Sequence, residues 1–179
     1  MKILLTGATG YIGKRLLPVL AGMGHTVVCC VRDKNKFHPD GELKNKVEVI
    51  EIDLTQKETL NNIPPDIDAA YYLVHSMSSS SNYSELEKLS AINIRESLEK
   101  TKVKQVIYLS GIVNSQTLSK HLNSRKTVEL ELGKGKYALT TVRAGIIIGS
   151  GSASFEIIRD LVEKLPVMIA PKWLKTKCQ

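Results

Sequence analysis

Short apolar runs, rich in β-branched residues, alternate with longer stretches of helical periodicity along all 179 residues. Apolar runs of this length suit the buried strands of a parallel sheet, and parallel neighbours need a crossover helix between them. The alternation therefore predicts successive β–α–β units and an α/β fold, a doubly wound parallel sheet of about six strands between two layers of helices. The predicted strands are Lys2–Thr6, Thr26–Val31, Val47–Ile52, Ala69–Val74, Val103–Leu109 and Leu139–Val142.

Helical patterns fill the intervals between these strands. Thr55-x-x-Glu58 and Ser84-x-x-Glu87 are capping-box patterns, which predict the starts of a short helix and of a long one. The strand Val47–Ile52 alternates in polarity more than the others, which indicates a place nearer the edge of the sheet. The longer predicted helices are Tyr11–Gly22, Ser84 to about Lys100, Ser119 to about Leu132 and Ser154–Leu165.

The composition indicates one globular domain, because 42% of the residues are hydrophobic and the length suits a single core. No apolar run approaches the roughly 20 residues that a membrane span needs. The start of the chain has no long apolar region followed by a small-residue cleavage site. The three cysteines, Cys29, Cys30 and Cys178, form neither a disulfide framework nor a zinc-binding spacing. We therefore expect no membrane segment and no metal site, and the cysteine usage favours the reducing cytoplasm.

The net charge of +7 raises the question of a nucleic-acid partner. Most of the surplus lies in the last third, where residues 121–179 hold 10 basic and 5 acidic side chains. The chain has no nucleic-acid-binding motif and no aromatic residues interleaved with the basic ones. We therefore expect no nucleic-acid partner.

A glycine-rich segment, Thr6-Gly7-Ala8-Thr9-Gly10-Tyr11-Ile12-Gly13, joins the first predicted strand to the first helix. Gly7 allows a tight turn, Gly10 lets backbone N–H groups approach a phosphate, and Gly13 lets the helix pack closely on the sheet. This spacing inside a first β–α–β unit predicts a pyrophosphate site, the alternative being a tight turn without a ligand. The predicted cofactor contacts here are Gly7, Thr9, Gly10, Tyr11, Ile12 and Gly13.

The Thr-Gly-x-x-Gly-x-x-Gly pattern resembles the short-chain dehydrogenase/reductase superfamily, in its extended and atypical branches, over essentially the whole chain. Residues Tyr71–Met77, His121–Arg125 and Gly145–Glu156 look like an atypical group of NmrA-like and nucleoside-diphosphate-sugar-epimerase-like proteins. The resemblance implies a three-layer Rossmann fold over residues 1–179 that binds NAD or NADP.

The resemblance also carries expectations about the whole protein. It implies an oxidoreductase or epimerase-like enzyme acting on an unidentified small substrate. Members of the superfamily often form homodimers through the helices that follow the fourth and fifth strands. Longer relatives continue into a further strand and a C-terminal substrate-binding region, which residues 1–179 are expected to lack.

The residues after the second strand bear on the choice of cofactor. Arg32 presents a planar, charge-assisted fork that suits the 2′-phosphate of NADP, and Lys34 and Lys36 follow closely. Asp33 keeps NAD possible, because a carboxylate at this place binds the 2′-hydroxyl of the adenosine ribose. We predict a preference for NADPH. The alternative is that Arg32 is a solvated charge at the end of a strand.

The ends of the third and fourth strands supply further candidate contacts. In the superfamily, a residue in the place of Asp53 binds the adenine amino group, with the next N–H, here that of Leu54, assisting. An almost equal alternative for Asp53 is a cap on the helix near Thr55. His75 and Ser76 lie where the backbone passes the cofactor ribose, and a purely structural role is equally open for His75.

The catalytic residues of the superfamily are only partly present. Ser110 matches the family serine and Asn93 the family asparagine. The Tyr-x-x-x-Lys pair is replaced by His121-x-x-x-Arg125. His121 is a candidate acid/base near neutral pH, with Arg125 contacting ribose or phosphate. The alternatives are a helix-surface pair with no catalytic role, and a non-catalytic cofactor-binding module that senses redox state or assists assembly.

Overall fold

The computed structural model describes residues 1–39, 41, 43–75, 82–112 and 120–165. Its six strands form one fully parallel sheet in the order β3-β2-β1-β4-β5-β6. The strands are β1 (Lys2–Thr6), β2 (Thr26–Val31), β3 (Val47–Glu51), β4 (Ala69–Tyr72), β5 (Gln105–Gly111) and β6 (Ala138–Ala144). The helices are α1 (Tyr11–Gly22), α2 (Tyr83–Leu98), α3 (Lys120–Leu132) and α4 (Ala153–Lys164), with 3₁₀ helices at Lys34–Lys36 and Lys57–Asn62.

The strand order confirms the predicted doubly wound α/β fold. The chain builds outward from β1 to β3 and then returns to the other side of β1 with β4. This reversal between β1 and β4 is the topological switch point, and ligands of such sheets bind beyond the carboxyl ends of the strands at this place. The edge position predicted for the third strand is also confirmed, since β3 ends the sheet.

Two apolar clusters hold the layers together, because successive side chains of a strand point to opposite faces of the sheet. On one face, Ile3 and Leu5 of β1 pack with Leu17 and Leu20 of α1. On the other face, the larger cluster joins the sheet to α2 and α3. Its members include Leu4, Val28, Ala70, Val106, Tyr108, Ala91, Ile94, Leu98, Val128 and Leu132.

Both predicted capping boxes are wrong. The backbone N–H and the hydroxyl of Thr55 both donate to Asp53 Oδ1, at 2.9 and 2.7 Å, so the short helix begins later and is a 3₁₀ helix. Helix α2 begins one residue before Ser84, and its N-cap residue makes no side-chain capping bond. Glu87 cannot close a capping box because it is buried against α3, where it accepts a hydrogen bond from the hydroxyl of Ser124.

The ends of some strands also differ from the predictions. Strand β4 ends at Tyr72, two residues before the predicted end, and β6 runs from Ala138 to Ala144, well beyond the predicted Leu139–Val142. Cys29 and Cys30 are free thiols in β2, and burial raises both pKa values, that of Cys29 to about 12. Cys178 lies outside the described residues. None of the described helices is both long enough and apolar enough to pass through a bilayer.

Candidate functional site

A cavity of about 720 Å³ lies at the carboxyl ends of the central strands, around the switch point. Its volume falls within the roughly 300–1,000 Å³ that is usual for small-molecule sites. The loops after β1, β2, β3 and β4 and one face of α2 form its walls. The lining residues are Thr6, Gly7, Thr9, Gly10, Cys30, Val31, Arg32, Ile52, Asp53, Leu54, Thr55, Tyr72, Leu73, Val74, His75, Leu86, Glu87 and Ser90.

The turn from β1 into α1 accepts only glycine at two places. Gly7 has φ +72°, and a Cβ atom there would lie 3.0 Å from the carbonyl oxygen of Leu73. A Cβ atom on Gly13 would lie 2.2 Å from the carbonyl oxygen of Gly7. The Thr6 hydroxyl ties the turn to the strand beside it, since it donates to the Tyr71 carbonyl and accepts from the Leu73 N–H. The turn is therefore a narrow cradle that a larger side chain would fill.

The start of α1 gives this cradle its affinity for anions. The first backbone bond into the helix is donated by the Lys14 N–H to the Gly10 carbonyl, at 3.0 Å. The N–H groups of residues 11–13 precede that bond and have no acceptor within the helix. No acidic residue lies in the first turn. These groups and the helix dipole fit a dinucleotide pyrophosphate.

Arg32 and Asp33 lie differently with respect to the cavity. Arg32 lines the cavity wall and forms no ion pair with any described residue. The Asp33 carboxylate accepts a bond from the Asn35 N–H at 3.0 Å and pairs with Lys36 at 3.1 Å. Lys36 and the Asn35 N–H hold the pKa of Asp33 below its usual value. Asp33 thus caps the start of the 3₁₀ helix Lys34–Lys36.

Asp53 and Leu54 lie together in the cavity wall. One carboxylate oxygen of Asp53 accepts two bonds from Thr55, so its cap-like role is real, although it belongs to a turn before the 3₁₀ helix. The carbonyl oxygen of Leu54 accepts a 2.9 Å bond from the side-chain amide of Asn93. Asn93 is buried on α2 and therefore supports the loop that holds Asp53.

His75 lies at the end of the cavity that faces β5. Its Nε2 atom lies 2.8 Å from the carbonyl oxygen of Leu109, and its ring is tilted against that of Tyr108, 6.0 Å between centroids. Burial and, to a smaller extent, the charge of Arg125 lower the pKa of His75. A neutral ring that donates from Nε2 to the Leu109 carbonyl fits this setting. Ser76 lies outside the described residues.

Ser110 and its neighbours Tyr108 and Gly111 form the end of β5, which Arg125 of α3 approaches. The Ser110 hydroxyl is buried and has no hydrogen-bond partner among the described residues. A Cβ atom on Gly111 would lie 3.6 Å from a guanidinium nitrogen of Arg125, so that cation lies against the strand end. The Tyr108 hydroxyl donates to the Arg125 carbonyl at 3.2 Å, and burial raises the pKa of Tyr108 to about 12.

The structure separates the four catalytic candidates. His121 is exposed, and its ring stacks on that of Tyr83, with 4.9 Å between centroids and 23° between planes. No hydrogen bond joins His121 to Ser110 in the described part of the chain, and Asn93 is engaged at the loop after β3. Arg125 is the candidate that lies near the end of β5, where Ser110 is located. The roles of all four in catalysis stay predictions.

Three residues in or beside the cavity were not among the predicted site residues. Glu87 and Ser90, both buried on α2, line the cavity, and Ser124 of α3 binds Glu87. Buried positions recur along α2 at helical spacing, and Glu87 falls on that stripe together with Ala91, Ile94 and Leu98. A charged residue on the apolar stripe of a helix is the sequence signal that could have revealed it.

Comparison with known proteins agrees with this geometry. A profile of the NAD(P)H-binding family matches residues 7–145. A search among curated protein sequences found no match.

In the described residues, no group of three or more His, Cys, Asp or Glu side chains is placed to hold a metal ion.

Solved structures share the fold at low sequence identity. A nucleoside-diphosphate-sugar epimerase from Staphylococcus aureus aligns with a TM-score of 0.68 and 21% identity, covering 80% of this chain and 50% of that one. The triphenylmethane reductase of Citrobacter sp., complexed with NADP(H), gives 0.66 and 19%, with 79% and 49% covered. The Bordetella bronchiseptica enzyme WbmH, in complex with NAD⁺, gives 0.71 and 18%, with 90% and 62% covered.

The chain thus spans about half the length of the first two of these structures and somewhat more of the third. At these identities the likeness establishes the fold, a parallel six-stranded sheet flanked by helices. The family profile covers most of the chain, from the glycine turn to the end of β6. The chain therefore belongs to the NAD(P)H-binding family, with a Rossmann-type fold.

Proposed function

We propose that the chain is the cofactor-binding part of an NADP-dependent oxidoreductase or sugar-nucleotide-epimerase-like protein that acts on a small substrate. The observation that carries the choice of NADP is the contrast at the end of β2. Arg32 lines the cavity without an ion-pair partner among the described residues, whereas Lys36 and the Asn35 N–H engage Asp33. The cavity wall therefore offers a cation for a 2′-phosphate, while the carboxylate that would favour NAD is occupied.

Different residues of the cavity bind different parts of the cofactor. The N–H groups at the start of α1 hold the pyrophosphate, and Arg32 binds the 2′-phosphate. Asp53 and the Leu54 N–H face the adenine. When bound, a nicotinamide cofactor supplies a hydride donor or acceptor. The epimerase from S. aureus and the NADP(H)-bound reductase from Citrobacter support this class of function.

Titration calorimetry with NADPH and NADH tests the cofactor choice. We expect the wild-type chain to bind NADPH more tightly, and Arg32→Ala to reduce that preference about ten-fold or more, because a charge-assisted phosphate contact is lost. Lys34→Ala is the matched control, an exposed cation two residues away whose loss should leave most of the preference. Full retention of the NADPH preference in Arg32→Ala would remove the argument.

For catalysis, we propose that His121 exchanges a proton with the substrate and that Arg125 orients the cofactor ribose. Arg125 lies against Gly111, the residue that follows Ser110 at the end of β5. His121 is on the same helix one turn earlier, and its imidazole is exposed and so within reach of a substrate. NADPH oxidation with a panel of carbonyl substrates tests the activity, and full turnover by His121→Ala would eliminate the histidine mechanism.

A non-catalytic cofactor-binding module is the second candidate. The stacking of His121 on Tyr83, away from any described bond to Ser110, favours this reading. It predicts tight NADPH binding without consumption of NADPH by any carbonyl compound of the panel. The same two measurements, affinity and turnover, therefore separate the two candidates.

A further inference from the structure

Glu87 is a buried carboxylate in the cavity wall to which the proposed function assigns no role. It lies on the second turn of α2 and is 7% exposed. It lines the same cavity as His75, and the Ser124 hydroxyl of α3 donates a hydrogen bond to its Oε2 atom. Burial of a charged group is costly unless hydrogen bonds or a ligand compensate it. Its protein partners, Ser124 among them, hold the carboxylate at the cavity wall, where a bound ligand can reach it.

The strand order decides which half of a dinucleotide Glu87 faces. The glycine turn after β1 lies at the centre of the site, with β2 and β3 on one side and β4 and β5 on the other. Arg32 and Asp53 belong to the β2–β3 side, which takes the adenosine half. A dinucleotide that spans the crevice must then place its second nucleoside on the β4–β5 side. Glu87 and His75 form the wall there.

The chemistry of that nucleoside calls for a hydrogen-bond acceptor. The hydroxyls of its ribose are donors as well as acceptors. Arg125 has only donors to offer, and His75 already uses Nε2 at the Leu109 carbonyl. Two carboxylates are found among the described residues that line the cavity, and Asp53 lies on the adenosine side. A carboxylate offers about four acceptor sites, so Glu87 can accept a bond from a ligand as well as from its protein partners, of which Ser124 is one.

We propose that Glu87 accepts hydrogen bonds from the ribose hydroxyls of the nicotinamide half of the cofactor, and that Ser124 is a positioning residue that orients the carboxylate. This inference rests on the proposed binding of NADP. It assigns to α2 a ribose contact in addition to the one proposed for Arg125 of α3. The binding role concerns affinity and is independent of whether the protein catalyses a reaction.

Two ligands separate this contact from the rest of the site. NADPH carries both ribose rings, whereas adenosine 2′,5′-bisphosphate carries only the adenosine half, with its 2′- and 5′-phosphates. We expect Glu87→Gln, which keeps the shape of the side chain, to weaken NADPH binding about ten-fold or more. The same change should leave the affinity for adenosine 2′,5′-bisphosphate within about two-fold of wild type. Glu85→Gln, an exposed position on the same helix, is the control and should alter neither affinity.

Ser124→Ala gives an independent readout if Glu87→Gln folds poorly. It removes the orienting hydroxyl and keeps the carboxylate, so we expect a smaller loss of NADPH affinity and unchanged binding of the bisphosphate. The assignment would be overturned if Glu87→Gln weakened the binding of both ligands equally, or if it weakened the binding of neither. If wild-type protein binds the bisphosphate and NADPH equally well, the ribose contact is absent while the adenosine site stands. If it binds neither ligand, the proposed function falls as well.

Discussion

The guanidinium of Arg15 lies over the ring of Tyr11, with its central carbon 3.7 Å from the ring centroid. From there it donates a 2.7 Å hydrogen bond to the carbonyl of Ser150, in the turn between β6 and α4. The Tyr11 hydroxyl in turn occupies the space where a side chain on Gly149 would begin, 2.1 Å from the position of an added Cβ. The first turn of α1, which carries the anion cradle, thus also holds the turn that follows the last strand.

Replacement of Gly149 by alanine should loosen this connection. Gly149 has φ +155°, a conformation that other residues rarely adopt, and the new methyl group would displace the Tyr11 hydroxyl. We expect Gly149→Ala to lower the free energy of unfolding by about 1–2 kcal/mol, measured by urea denaturation. The double variant Tyr11→Phe/Gly149→Ala separates the two causes, because it relieves the collision and leaves the backbone strain. Equal stability of Gly149→Ala and wild type would contradict the described packing.

Replacement of Gly13 by alanine should damage the anion cradle itself. The added Cβ would lie 2.2 Å from the carbonyl oxygen of Gly7, a backbone atom that cannot move without opening the turn. We expect NADPH affinity to fall at least ten-fold and unfolding to become easier by about 2 kcal/mol or more. Gly22→Ala, at the far end of the same helix with open space around it, should retain both properties. Calorimetric titration and denaturation of both variants check the prediction.

Asn93 offers a test of structure against chemistry. Its buried amide donates to the Leu54 carbonyl, and Asn93→Leu would leave that carbonyl unpaired at a cost of about 1–3 kcal/mol. We expect the variant to unfold more easily and to bind adenosine 2′,5′-bisphosphate more weakly, since the loop that holds Asp53 loses its support. Exposed Asn61 provides the control, as Asn61→Leu should leave both quantities near wild type. Unchanged ligand affinity together with lost turnover would instead favour the catalytic role that the resemblance implies.

His75 predicts a pH dependence of stability. Burial lowers its pKa in the folded state, so below pH ~6.5 the unfolded chain binds a proton that the folded chain resists. Stability should therefore fall as the pH drops from about 6.5 toward the lowered pKa of the folded state, and this part of the dependence should be absent at higher pH. His75→Gln keeps a donor for the Leu109 carbonyl and should flatten the slope between pH 7 and 5. Exposed His38, changed to Gln, should leave the slope as it is in wild type.

The fold was predictable because its signals are local. Each buried strand is a short apolar run, and a parallel sheet with helical crossovers follows from their alternation. The glycine turn was predictable for the same reason, since the spacing of Gly7, Gly10 and Gly13 reflects contacts within one strand–turn–helix unit. The predicted capping boxes did not form because their residues have other hydrogen-bond partners. Thr55 donates to Asp53, and Glu87 accepts from Ser124.

Several residues that line the cavity could be predicted from the sequence, whereas the hydrogen bonds between distant parts of the chain could not. Family resemblance led to Arg32, Asp53, Leu54 and His75, all of which line the cavity. It could not show that Asn93 binds the Leu54 carbonyl, because that bond joins residues 39 positions apart in the chain. The same holds for the hydrogen bond from Arg15 to the Ser150 carbonyl, since these residues are 135 positions apart.

By itself, then, the sequence determined the order of strands and helices, the parallel sheet and the place of the glycine turn, because hydrophobic periodicity and glycine spacing act over a few residues. The tertiary structure decided which side chains face the cavity. In the folded chain, Asp33 binds residues of the 3₁₀ helix that follows it, whereas Arg32 lines the cavity. Helix packing brings Glu87 of α2 against Ser124 of α3. These outcomes depend on the packing of helices against the sheet, where burial and pairing of charges are settled between residues far apart in the chain.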